Sequence, residues 1–281
     1  MIQVRRPALL MLLVLIALSA SEGILIARGW PVSVRGDRWL AVSATRGGVE
    51  LSARSGQRRP ARRGDRLDRV GDTITTGANA SARLDVDTAT GSIAMAENSQ
   101  LRVQALGITA NGGRITELLV SRGQVRVQVR RLTNPETRLE IHTPAGVSGV
   151  RGTDFGVAVQ PTGQTGTATL EGQVLVSAQG QTVTVDTAFQ SLTRPGEPPT
   201  PPEPLRNDPS LSIETLRVRG SSVQIVGQTD PVNLLEIDNR LQALSRAGRF
   251  DLTLPLPGNR RIEAVVTTPL GTQQRYEIAV P

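Results

Sequence analysis

From Val42 to Thr193 apolar and polar residues alternate in short runs separated by Gly, Asn, Asp and Ser, and no stretch sustains a 3.6-residue repeat. That pattern predicts strands. The clearest run is Gln124 to Leu132, where Val125, Val127 and Val129 alternate with Arg126, Gln128 and Arg130. The three valines therefore share one face and the polar side chains the other. The same alternation marks Arg83–Val86, Leu139–Thr143, Thr167–Val176 and Thr182–Val185. Gly71, Gly77, Gly91, Gly113, Gly123, Gly172 and Gly180 fall between these runs as turn residues. An all-β unit over residues 42–193 follows.

The flanks read differently. Ala8 to Ala20 is an apolar run broken only by Ser19 and preceded by Arg5 and Arg6, the layout of a secretory signal peptide or an N-terminal membrane anchor over residues 1–23. Small residues near Ser19 and Ser21 offer cleavage positions. Residues 194–209, RPGEPPTPPEPLRNDP, contain seven Pro and suit a semi-rigid linker. Beyond it, Ile213–Val218, Val223–Gly227, Asn233–Ile237, Arg249–Leu254, Arg260–Thr267 and Gln274–Val280 read as the strands of a small β-sandwich over 210–281.

Composition narrows the chemistry. Three Phe, two Trp and one Tyr in 281 residues leave the cores to Val, Leu, Ile and Ala and give stacking platforms almost nothing to use, which disfavours a nucleic-acid partner. One His and no Cys exclude a thiol nucleophile, a disulfide and a Cys or multi-His zinc site. All 32 basic residues are Arg, yet the net charge is only +7. The missing Lys is explained by coding bias at least as well as by a polyanionic partner.

The segment Thr143 to Val157, TPAGVSGVRGTDFGV, resembles the signature of FecR-type domains, in which a Thr-Pro start leads into a Val-Arg-Gly-Thr-x-Phe turn and strand. RGDRLDRVGDTITTGANASARLDV (Arg63 to Val86), SIAMAENSQLRV, LLVSRGQVRVQV and TATLEGQVLVS extend the resemblance over roughly 49–193. The resemblance implies an extracytoplasmic, β-helix or solenoid-like domain. In the best-known members a cytoplasmic anti-sigma region precedes the membrane span. Only seven residues precede the apolar run here, so no direct contact with a sigma factor is expected. AGRFDLTLPLPGNRRIEAVVTTPLGTQQRYEIAV, Ala247 to Val280, is similar to bacterial immunoglobulin-like modules.

Within the family motif, Thr143, Pro144, Val150, Arg151, Gly152, Thr153 and Phe155 stand out, chiefly as structural residues. Pro144 and the glycines set a bend, and Phe155 fills the core. The Arg151 guanidinium is expected to close the bend through backbone carbonyls or an acidic neighbour. The glycine series lacks the Lys and following helix of a phosphate cradle.

Arg58, Arg59, Arg62, Arg63, Arg66 and Arg69 form a basic cluster with Asp65 and Asp68. Pro60 and Gly64 place it in a solvated loop, and as a patch it could touch anionic lipid head groups or acidic envelope polysaccharide. Asp85, Asp87 and Gly91 superficially suggest a calcium loop, but Ala89 and Ala96 occupy positions that need ligands. The two carboxylates are expected as exposed groups on one strand face, and His142 with Glu140 lacks a nucleophile.

Together these features point to a non-enzymatic exported cell-envelope protein, without cofactor or metal, acting as a binding or scaffolding module. Its expected partner is an envelope protein or polysaccharide. The other class is a membrane-anchored FecR-type signalling regulator lacking its own anti-sigma region. The location is periplasmic or cell-surface, with a possible inner-membrane anchor.

Overall fold

The computed structural model describes residues 38–87 and 90–281. The signal or anchor expected over 1–23 lies outside the described residues. Among those described, no helix is long and apolar enough to cross a membrane.

The chain opens with β1 (Leu40–Arg46), β2 (Val49–Ser52), β3 (Arg58–Pro60), β4 (Arg66–Leu67), β5 (Thr73–Thr76), β6 (Ser81–Val86), β7 (Gly91–Met95) and β8 (Gln100–Ile108). It continues with β9 (Arg114–Val129), β10 (Arg138–His142), β11 (Val147–Val150), β12 (Asp154–Val159) and β13 (Thr165–Glu171). After these come β14 (Gln173–Ala178), β15 (Gln181–Asp186), β16 (Phe189–Thr193) and β17 (Glu203–Pro204).

These strands make two facing layers. The front sheet runs β4-β1-β6-β7-β9-β12-β13-β16-β17. The back sheet runs β3-β2-β5-β8-β9-β10-β11-β14-β15. Between them lies one apolar core, in which Leu40, Leu84, Ile93, Val127 and Phe155 face Ile74, Leu101, Leu118, Ile141 and Val174. It is built almost wholly from aliphatic side chains, with Phe155 at 0% exposure. A solenoid of stacked coils would pair its strands in parallel, whereas only β9–β10 is parallel among the described ladders of this unit. The chain instead alternates between layers through antiparallel neighbours, so the observed architecture is an all-β sandwich with a shared strand.

That shared strand is β9. Its first half, Arg114–Arg122, pairs with β8 and β10 in the back sheet, and its second half, from Gly123, pairs with β7 and β12 in the front. Gly123, expected as a turn, is the kink within this continuous strand, with φ +86°. A Cβ there would lie 2.3–2.6 Å from Ser99. The approach is close because Ser99 Oγ accepts from the amide of Gln124 (2.9 Å) and donates to its carbonyl (3.1 Å). The alternating run Thr167–Val176 is divided at Gly172, one of the expected turn residues (φ +81°), where the chain passes from the front sheet to the back.

The rest of the chain forms β18 (Ser212–Arg219), β19 (Ser222–Gln228), β20 (Leu234–Ile237), β21 (Arg240–Gln242), β22 (Arg249–Pro255), β23 (Arg261–Thr267) and β24 (Gln273–Ala279). They build a second sandwich, β18-β19-β22 over β21-β20-β23-β24, around Val223, Ile225, Leu235, Phe250, Ile262 and Val266. All six strands expected here are present. β21, short and half polar, is additional.

The two sandwiches belong to one compact unit, and the seat is the outer face of the front sheet. In β12 and β13 every residue from Phe155 to Val159 and from Thr165 to Thr169 is buried, so both strand faces are covered. Facing outward are Gly156, Ala158, Gly166 and Ala168, paired across the strands. Small residues are required there: a Cβ on Gly156 would sit 1.8 Å from the Pro269 carbonyl oxygen, and one on Gly166 2.4 Å from that of Val232. Around this patch, glutamine side chains satisfy loop carbonyls of the second sandwich. Gln124 Nε2 donates to Pro269 O (2.7 Å), Gln160 Nε2 to Pro231 O (2.9 Å) and Asn233 O (3.0 Å), and Gln164 Nε2 to Pro231 O (3.1 Å). The Pro-rich segment runs along the edge of the front sheet. β17 pairs with β16, the amide of Thr200 donates to Leu192 O (2.9 Å), and Arg206 forms an ion pair with Asp230.

Gly123→Ala places a side chain in left-handed backbone and against Ser99. It is expected to lower unfolding free energy by about 2–3 kcal/mol, measured by denaturant titration.

Candidate functional site

Seating the second sandwich covers one half of the front sheet and leaves the other half open. A row of residues crosses the strands there in register, Ala41 followed by the polar Asp85, Ser92, Gln128, Asp154 and Glu171. These residues floor a groove of about 850 Å³, walled by Trp39 and Asp87 and by Arg130, Arg131, Gly152 and Thr153.

Its carboxylates differ in state. Asp154 is half-buried, which alone would raise its pKa. The Arg126 guanidinium (two contacts at 2.8 Å) and Gln128 Nε2 (2.8 Å) outweigh that and hold it below the usual carboxylate range. Asp87 lies past the end of β6 with φ +49°, and its side chain is only 8% exposed. Both its oxygens accept from Arg38, at 2.5–3.2 Å. The expectation of two exposed carboxylates on one strand face is therefore corrected. Asp85 is on the strand, and Asp87 has left it to fix the start of the described chain. Asp85 accepts from Ser43 Oγ (3.2 Å), and among the described residues neither Asp85 nor Glu171 has an ion-pair partner.

The family motif is divided between places. Thr143 and Pro144 make the β10–β11 turn, in which the Thr143 amide donates to Gly146 O (2.8 Å) and Thr143 Oγ1 accepts from Thr165 Oγ1 (3.1 Å). Val150 and Phe155 enter the core. Arg151 is exposed and donates to the Pro135 carbonyl (2.6 Å). Gly152 (φ +141°) and Thr153 border the groove, the amide of Thr153 donating to Val129 O (3.1 Å). All six arginines of the basic cluster are exposed. Arg66 lies 4.2 Å over the Trp39 ring, so the cluster and groove meet at that aromatic, a contact 27 residues apart in sequence.

On the back sheet, parallel register sets Glu117 beside Glu140, and His142 Nε2 lies 3.3 Å from Glu140 Oε2. The ligand atoms of these three residues fall within 4.8 Å of one another. The Arg138 guanidinium already bridges Glu117 (2.9 Å) and Glu140 (3.4 Å), which offsets one of the two negative charges of the cluster.

A smaller cleft, about 470 Å³, lies between the sandwiches and is lined by Asn79, Glu97, Gln124, Arg126, Gln273 and Arg275, among others. Glu97 and Glu236, 7% and 3% exposed, approach the same contact from the first and second sandwich. Glu97 accepts from the amide of Asn79 (2.5 Å) and from Gln273 (3.4 Å), and Glu236 accepts from Asn98 Nδ2 (2.6 Å). Burial, then the Glu97 charge, pushes Glu236 up to about 7, against weaker opposing effects of Asn98 and Arg275.

Neither the docking glutamines nor Asp154 stood out in the sequence. The usable signal was Gly and Ala at outward positions of two adjacent strands, which marks a sheet buried on both faces.

Residues 72–175 match the family model described as FecR protein. That span runs from the start of β5 into β14. It includes the motif and most of the groove floor, and leaves out the arginine cluster and the second sandwich. Among solved structures, the chain is similar to a "putative anti-sigma factor" from Parabacteroides distasonis ATCC 8503, with 14% identity and a TM-score of 0.39. The alignment covers 47% of this chain and 59% of that one, so this chain spans little more than half of that structure's length. No curated protein matches.

The raised Glu236 pKa sets a pH dependence. The folded state holds its proton more tightly than the unfolded state, so stability is lost as pH rises from about 4.5 to about 7 and levels off above that. Glu236→Gln is expected to be more stable than wild type above pH 7, by about 3 kcal/mol at most, and equal to it below about pH 4. Chemical denaturation across pH checks both limbs.

Proposed function

We propose that this chain is an exported, non-enzymatic FecR-type regulator that works by binding, with the front-sheet groove as its ligand face. Residues 42–193 supply the FecR-like unit, 194–209 the link, and 210–281 an immunoglobulin-like sandwich. Three strands packed over four, with a polar exterior, support that last assignment. The FecR match over 72–175 supports a regulatory role rather than a purely mechanical one.

The carrying observation is the division of the groove's carboxylates. Asp87 and Asp154 are already engaged by Arg38 and Arg126, and the Arg126 contact holds Asp154 below the usual carboxylate range. Asp85 and Glu171 remain to meet a ligand, one at each end of the row from Asp85 to Glu171. Such a floor, walled by Arg130 and Arg131, suits an extended polypeptide segment of mixed charge from an envelope partner. Specificity would come from charge register across strands with fixed spacing. Residues 1–23 provide the route out of the cytosol, either as a cleaved signal or as an anchor keeping the regulator at the membrane. N-terminal sequencing separates the two, a start near Ala20 to Ile24 marking cleavage.

A photo-reactive residue at Gln128 is expected to crosslink one discrete envelope protein in living cells. Asp85→Asn with Glu171→Gln should weaken the isolated complex by about fivefold per carboxylate. Crosslinks indifferent to both substitutions, or turnover of a small molecule abolished by one of them, would overturn the proposal.

A further inference from the structure

The segment Arg58–Arg69 exposes six guanidinium groups with two acids among them. Its shape is fixed by carboxylates turned to the main chain. Asp65 accepts from the amide of Arg62 (2.7 Å) and from the Arg59 guanidinium (2.6 and 2.9 Å). Asp72, 6% exposed, accepts from the amides of Arg54 (3.3 Å), Asp68 (3.2 Å) and Arg69 (3.0 Å). The acids therefore hold the loop while most of its cations face outward. Arg58 and Arg69 reach acids only at 3.6 and 3.8 Å, with exposed side chains, and no acid of the described residues pairs with Arg62 or Arg63. A rigid loop that concentrates like charges works against its own stability unless an external anion meets it.

Two further observations define that anion. Trp39, stacked on Arg66, and Val70, 50% exposed beside Arg69, add amphipathic and apolar surface to the cationic one. This combination suits the boundary between head groups and acyl chains, where the exposed valine as well as the tryptophan is covered. In sequence, Arg38 and Trp39 also follow closely on the apolar run Ala8–Ala20.

We infer that this arginine face docks on an anionic phospholipid bilayer, its guanidinium groups donating to head-group phosphates while Trp39 and Val70 enter the interface. The inference rests on the export part of the proposed function and shares Trp39 with the groove.

The test is amide hydrogen exchange on the full chain with vesicles of equimolar phosphatidylglycerol and phosphatidylcholine, against vesicles of phosphatidylcholine alone. Residues 58–70 are expected to gain protection only on the anionic vesicles. That protection should vanish near 1 M salt, where screening acts within about 3 Å. In sedimentation, Arg58→Gln, Arg62→Gln, Arg63→Gln and Arg69→Gln should each weaken binding to anionic vesicles about fivefold. Unchanged exchange in the core strands shows that the variants fold, since Arg59 and Arg66 keep their partners. Equal protection on both vesicle types, protection that survives high salt, or protection by acidic polysaccharide but not by vesicles would overturn the inference. Groove crosslinking read on the same protein reports separately on the proposed function.

Discussion

Contact between the two sandwiches depends on the absence of side chains. At Gly156 and Gly166 the backbone of the front sheet meets carbonyl oxygens of Pro269 and Val232 at distances that no Cβ tolerates. The Pro269 carbonyl and the neighbouring carbonyls of Pro231 and Asn233 leave water, and the glutamines of the surrounding ring supply hydrogen bonds in exchange. A seat of this kind is intolerant in both directions. Larger residues push the sandwiches apart, and loss of a glutamine leaves a buried acceptor unmatched, at a cost of about 1–3 kcal/mol.

From that seat follows the distribution of surface. The covered half of the front sheet cannot serve a ligand, and the open half is displayed in fixed register by the same strands. The Pro-rich segment, hydrogen-bonded along the sheet edge, adds a third connection between the units. The groove is thus part of a rigid body, which suits recognition by fixed charge spacing. The buried Glu236 at the contact, its pKa raised by burial and by the Glu97 charge, makes the strength of that contact depend on pH.

Much of this was legible in the chain, and the exceptions have physical reasons. Alternation placed Val125, Val127 and Val129 correctly on a buried face, and the strands of the second sandwich stood almost residue for residue where their periodicity put them. Periodicity is a local signal, so it could not show that β9 serves two sheets. Gly123 reads as a turn whether the chain reverses or merely kinks. The solenoid expectation came from resemblance, and the antiparallel ladders now describe a sandwich instead. Asp87 was misplaced because it leaves β6 with left-handed backbone and finds its partner in Arg38, 49 residues away. The Trp39–Arg66 stack is likewise a tertiary fact.

The seat itself is open to direct measurement. Spin labels at Arg102 on the first sandwich and Arg217 on the second, read by pulsed electron resonance in the full chain, should give one narrow distance distribution. In Gly156→Val that distribution should broaden while each sandwich keeps its own fold. A broad distribution in the wild-type chain, or a narrow and unchanged one in the variant, would contradict a seat made of missing side chains.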